Sequence, residues 1–362
     1  MLNRLLKADI HQERVEGAGV DELRTHESNR RSWSFRCSHI KLRHITLLAV
    51  IVLDAVVLIA SPIELKTDSF FSTIVWPLAL LIIGMGGLRL KLSDRLFRSM
   101  VGFSEIVIAT IAVAAFCRLW IAIDRPYIDG ALAEADKILG FSWLEIATVF
   151  TSSEAFKPVM IHAYVWLVLA MPVGAVGLFL CRKTDEAECF VSTFIFGIVF
   201  TAVVWSAFYS VGPFYYFRSI GMTFNIDVIH SEYAYKYISA LRASNSGFLD
   251  FDDLHGLVGF PSFHATMAML MLYGFCQFRY GVLLGLPWCV VALVATVVEG
   301  GHNVVDVMAG IVIAFTLFAL CDRKQNMRLL LARLRPKRQP GPLSDLVQVR
   351  TAEANVAAGR NR

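Results

Sequence analysis

Apolar and polar positions alternate along this chain in long blocks. Predominantly apolar runs occupy about residues 45–61, 71–88, 101–123, 158–180, 190–211, 262–278, 281–298 and 303–321. Each is long enough to cross a hydrocarbon layer as a helix, which takes about 20 residues. The pattern predicts an all-α, polytopic membrane bundle of about eight transmembrane helices. Between the runs lie two long polar and aromatic segments, 124–157 and 212–261, and a tail at each end. The segment 124–157 reads as an amphipathic helix at the bilayer surface anchored by Trp143. In the second, the stretch 212–218 (Gly-Pro-Phe-Tyr-Tyr-Phe-Arg) and an amphipathic stretch from Asp227 to Leu241 read as a cap over a lipid headgroup, with Tyr215 and Tyr216 as an aromatic belt. A loop of roughly fifty residues needs a purpose.

Composition agrees with a membrane protein. The 362 residues are 56% hydrophobic and only 18% charged, with a mean hydropathy of +0.57. The net charge of +4 is no argument for nucleic acid, because the basic residues gather in the tails and short connections rather than on one face. Arg89, Lys91, Arg95 and Arg98 follow the second run, Arg182 and Lys183 the fourth, and Arg279 the sixth. Together with basic tails at 1–43 and 322–362, they place these connections and both termini in the cytoplasm. The segments 124–157 and 212–261 and the turn at Glu299–Gly301 then face outward. Seven cysteines without a Cys-x-x-Cys pair predict neither a zinc site nor a disulfide framework. Asp54 and Glu105 fall inside apolar runs and are expected to pair within the bundle. Gly84, Gly86, Gly87 and Gly310 are expected to be helix contacts.

Two motifs carry candidate chemistry, both on the outward side. Gly259-Phe-Pro-Ser-Phe-His264 leads into one apolar run, and Glu299-Gly-Gly-His-Asn-Val-Val-Asp306 into another. Ser262 is a natural N-cap, leaving the backbone N–H groups of Phe263, His264 and Ala265 directed outward, where an anion can bind. Gly300 and Gly301 bring bare backbone close to whatever is bound. His302 and Asp306 sit four apart on one helix face, so the carboxylate can fix the imidazole tautomer. Two histidines at positively polarised helix ends suit attack on phosphorus and protonation of a leaving oxygen. Each motif is common taken singly, as a satisfied histidine at a helix start. Their joint occurrence at the mouths of two spans gives the reading its weight. A transporter would also bury ionisable residues, but no internal repeat is visible. His264, His302 and Asp306 have ligand-type side chains, yet the chain offers no clear further ligand for a metal site.

These residues resemble the type 2 phosphatidic acid phosphatase superfamily, and within it the inositol phosphorylceramide synthase branch and its bacterial relatives. The resemblance implies that His302 is the nucleophile forming a phosphohistidine, Asp306 orients it and His264 protonates the leaving oxygen. It implies no metal or other cofactor, and a six-helix core at 101–321 preceded by two extra spans at 44–100. The active site would lie on the extracytoplasmic face; the compact eight-span form favours a bacterial inner membrane, and a Golgi-type membrane would give the same outer-face chemistry. Ser262, Phe263, Gly300, Gly301 and Arg218 become candidate substrate-binding residues. The substrate would be a phospholipid or lipid phosphate, with water or a second lipid as acceptor. The chain departs from the lipid-phosphatase members in carrying Thr296 where they have an arginine and Phe263 where they have a glycine. Both departures fit the synthase-like branch better. The family's first motif has an echo in Arg118, Arg125 and Pro126. By position, however, the stretch from Gly212 to Arg218 is the better candidate for phosphate contacts.

Overall fold

In a computed structural model, residues 39–121, 125–224, 226, 228–243, 247–254 and 257–321 are described, those at 229, 241–243, 248 and 253 by backbone alone. The basic tails therefore lie outside the described residues, apart from the end of the first, where α1 begins. Among the described residues, seven helices are long and apolar enough to cross a membrane: α1 (His39–Ala60), α2 (Thr67–Arg89), α3 (Asp94–Ile121), α6 (Phe156–Leu180), α7 (Thr184–Ala207), α11 (Gly281–Val298) and α12 (Val304–Cys321). Four further helices belong to the polar segments: α4 (Asp129–Ile138), α5 (Trp143–Thr151), α8 (Pro213–Ser219) and α9 (Ile229–Ala243). The eighth expected span is shorter than its apolar run. It forms α10 (Phe263–Cys276), 14 residues long, or about 21 Å against a hydrocarbon core of about 30 Å. Ser262 caps its start and the chain turns again at 277–280. α10 packs among α6, α7, α11 and α12, with Ala265, Ala268 and Leu270 fully buried, whereas the turn that follows it is exposed at Phe278 and Tyr280.

The outer helices present apolar side chains outward. Ile45, Leu48 and Ile59 of α1, and Phe71, Trp76 and Ile82 of α2, are all exposed. A surface of this kind is stable only against lipid. Close packing of α2 on α3 depends on small residues, since a Cβ at Gly84 or Gly87 would collide with Val101 or Phe97. Gly86 meets nothing, so the expectation of a helix contact fails there.

At one end of the bundle, a buried ionic cluster ties α1, α3 and α7 together. Arg43, 3% exposed, lies 2.8 Å from Glu105 and 2.7 Å from Glu188. His44 approaches Glu105 at 2.6 Å. Removing these charges from water is costly unless they are paired, and here each carboxylate has its cation. Asp54 does not follow suit, since its Oδ1 is buried without a hydrogen-bond partner.

The opposite end is roofed by the polar segments. Trp143 is not a surface anchor there. It is 2% exposed, its indole N–H donates to the Val297 carbonyl at 2.9 Å, and its ring meets Phe214, Phe217 and Phe224. Tyr215 similarly packs inside the roof, against Tyr127 and Tyr235. Two short parallel strands, β1 (Glu64–Leu65) and β2 (Phe248–Leu249), tie the second polar segment to the α1–α2 turn. A Lys66–Asp250 ion pair at 2.8 Å adds to that tie.

Candidate active site

The roofed end holds both histidine motifs. Ser262 is the N-cap of α10, its Oγ accepting from Ala265 N–H at 3.3 Å, as Ser, Thr, Asp and Asn do at helix starts. The two motifs are bonded to each other, because Ser262 N–H donates to the Asp306 carbonyl at 3.0 Å and Thr266 Oγ1 to the Gly310 carbonyl at 2.9 Å. Gly310 permits this approach, since a Cβ there would lie 2.2 Å from the Ser262 carbonyl oxygen. The His264 and His302 rings are consequently 5.8 Å apart, centre to centre, tilted by 56°.

His302 is buried and its Nδ1 lies 3.6 Å from Asp306 Oδ2, just beyond hydrogen-bonding distance. Asp306 is held in turn by Asn303 N–H, which donates to Oδ2 at 2.8 Å. The loop before α12 doubles back tightly. Gly301 has φ +60 and Gly212 has φ +109, conformations that favour glycine. A Cβ at Gly212 would lie 2.2 Å from the Gly301 carbonyl oxygen.

Two carboxylates of α4 fix this arrangement. Asp129 Oδ1 accepts from Val211 N–H at 3.0 Å and Gly212 N–H at 2.6 Å. Asp136 accepts from the N–H groups of Val304 and Val305 at 2.7 and 2.8 Å. The first turn of α12 is therefore already capped by a carboxylate, as the first turn of α10 is capped by the Ser262 hydroxyl. Burial pushes Asp129 up to about 7, against the opposing pull of the Gly212 and Val211 N–H groups. Burial also raises Asp136 above the usual carboxylate range.

A cavity of about 550 Å³ opens from the two histidines. One part of its wall is polar, with His230, Tyr164 and Glu299 beside His264 and His302; the rest is largely apolar, including Val113, Ala114, Phe194, Ile198, Ile238 and Leu257. The Tyr164 ring lies on His264 at 4.5 Å and next to His230 at 5.0 Å. A polar group joined to a hydrocarbon chain matches this division.

Of the residues singled out from sequence, His264, His302, Phe263 and Gly300 line the cavity. Asp306, Ser262 and Gly301 support it from behind. Arg218 does not line it. Its guanidinium donates to the Phe224 carbonyl at 2.9 Å and lies over the Phe224 ring at 4.4 Å. Arg125 is engaged with the carbonyls of Ser206 and Trp120, and Arg118 packs beside Gly247. Four residues at the site had no motif to mark them: Tyr164, His230, Asp129 and Asp136. Asp129 and Asp136 left one faint signal, a spacing of seven that puts both on the same face of a helix.

The sequence profile of the PAP2 superfamily matches residues 130–320, more than half of the chain. The chain belongs to the PAP2 superfamily. Searches of curated proteins and of solved structures returned no match. As a PAP2 protein with seven helices of membrane-crossing length and composition among its described residues, it is an integral multi-pass membrane protein of the lipid phosphatase type. The PAP2 match begins inside α4 and takes in both histidine motifs, the roof helices and α6 to α12, whereas α3, which lines the cavity, precedes it.

Proposed function

We propose that the protein transfers a phosphoryl or phospho-headgroup unit from a phospholipid or lipid phosphate, through a phosphohistidine at His302. The supporting observation is the convergence of His264 and His302 in the polar wall of an otherwise apolar cavity. With Nδ1–H directed at Asp306, the His302 Nε2 lone pair is free to attack phosphorus. The N–P bond forms as the ester P–O bond breaks, and His264 gives its proton to the departing oxygen. Asp306 stabilises the cation that develops on the ring. In the second half, His264 takes the proton of an incoming hydroxyl whose oxygen displaces His302. Water as acceptor makes the reaction hydrolysis, and a lipid hydroxyl makes it transfer. No step requires a metal.

The lysine and arginine distribution supports a site on the extracytoplasmic face. The connections α2–α3 and α6–α7 carry the basic residues, and the Arg43–Glu188 and Arg98–Glu188 contacts place the start of α7 beside those of α1 and α3, away from the histidines.

The test is turnover of a phosphate-labelled glycerophospholipid by the purified full chain, with and without a second lipid alcohol, beside His302→Ala. Acid-labile, base-stable label on the wild-type protein but not on His302→Ala is expected, together with loss of turnover in the variant. Turnover that survives in His302→Ala would refute the assignment.

A further inference from the structure

We propose that His230, backed by Glu299, is the cationic group that grips the phosphate in this site. The proposal rests on the phosphoryl-transfer reading above. A phosphate ester brings at least one full negative charge, and its transfer needs that charge balanced in a site shielded from water. Among the described residues lining the cavity there is no lysine or arginine. Arg218 and Arg125, the nearest candidates from sequence, spend their guanidinium groups on backbone carbonyls and aromatic rings. The end of α10 contributes only partial charge.

His230 is placed to supply the remainder. It lines the same cavity as His264 and His302 and flanks the Tyr164 ring that also contacts His264. Its Nδ1 lies 3.4 Å from Glu299 Oε2. Glu299 has no exposed surface, and its Oε1 has no hydrogen-bond partner. Burying a carboxylate this deeply is costly, and a cation beside it offsets that cost. An imidazolium at His230 meets that need and leaves Nε2–H as a donor for a phosphate oxygen. The arrangement repeats that of His302 and Asp306, with a carboxylate behind an imidazole, but here the ring is held as a cation rather than as a nucleophile.

The position is rigid. Ser231 Oγ donates to the Glu299 carbonyl at 2.7 Å, and a Cβ at Gly301 would lie 2.7 Å from that same Oγ. The first turn of α9 is thereby fixed to the loop that carries His302. The titratable groups that share this wall with His230 are Glu299, Tyr164, His264 and His302, so the positive charge has one carboxylate to answer it, while His302 is neutral as the nucleophile and His264 carries only the proton that it passes to the leaving oxygen.

The experiment uses the purified full chain, a short-chain lipid phosphate as substrate and orthovanadate as inhibitor. His230→Ala is expected to raise KM and the vanadate inhibition constant together, roughly 10- to 100-fold, the loss of one charge-assisted hydrogen bond, with kcat much less affected. His230→Lys restores most of the loss and the neutral His230→Gln does not. The thermal unfolding midpoint of each variant identifies any that misfold, and Gln serves where Ala does. Unchanged KM and vanadate inhibition in His230→Ala, or Lys behaving no better than Gln, overturns the proposal while leaving the His302 chemistry standing. A wild-type chain that neither turns over nor responds to vanadate refutes the phosphoryl-transfer reading itself, and the proposal with it.

Discussion

Replacing Asp136 by alanine tests whether α4 sets the position of His302. Asp136 is 2% exposed and accepts two N–H groups from the first turn of α12. Losing a helix cap costs about 0.5–2 kcal/mol, and each buried N–H left without a partner costs about 1–3 kcal/mol. Water admitted by the smaller side chain recovers part of this, which leaves a local destabilisation of about 2–3 kcal/mol. The strain falls on Val304 and Val305, two and three residues after His302. A shift of about 1 Å in a reacting group costs about 100-fold in rate. The expected result is a kcat/KM lower by about that factor. Faster hydrogen exchange at the Val304 and Val305 amides and a thermal midpoint lowered by only a few degrees should accompany it. Asp136→Asn keeps one acceptor oxygen and should fall between wild type and Asp136→Ala. Unchanged exchange at those two amides together with wild-type kcat/KM in Asp136→Ala would refute the reasoning.

Two further outcomes follow from the same roof. Gly212→Ala places a Cβ against the Gly301 carbonyl at a positive φ, so activity should fall at least tenfold while Gly140→Ala, whose Cβ meets nothing although φ is +83, should lose only stability; kinetics and unfolding midpoints of the pair check this. Asp129 has a native pKa of about 7 against an ordinary value of 3.8. A carboxyl raised in this way favours the folded state most below its ordinary value, and that contribution is lost as pH rises through about 7. The midpoint in detergent should therefore decline between pH 4 and 8, and Asp129→Asn should flatten that decline; an identical slope in both proteins counts against it.

How much was legible in the chain depended on how far each interaction reaches. Apolar run length gave the bundle, because a span is a local property, and Ser262 could be read as a cap because its partner is three residues away. Span length misled at α10, where Ser262 and the turn at 277–280 trim an apolar run to 14 residues. Trp143 looked like an interface anchor because its chemistry suits one, but its hydrogen-bond partner is 154 residues off in sequence. The Asp136 contact to Val304 spans 168 residues, and neither end announces the other. His230 lies in a polar amphipathic stretch where a lone histidine is unremarked, and only the fold sets it beside Glu299. Arg218 had the charge for phosphate, yet a ring six residues on and its carbonyl took it.

The Arg43 cluster sets a limit on how this protein can be divided. Arg43 belongs to α1, far upstream of residue 130 where the superfamily's sequence match starts, yet it neutralises Glu188, which lies inside that match, and Glu105 of the cavity-lining α3. A chain trimmed to the matched residues would carry Glu188 into the bundle without Arg43 and would open the cavity wall that α3 supplies. The stretch by which kinship is recognised is thus smaller than the stretch that packs together, and the helices outside the signature are part of the cavity's frame rather than an appendage to it.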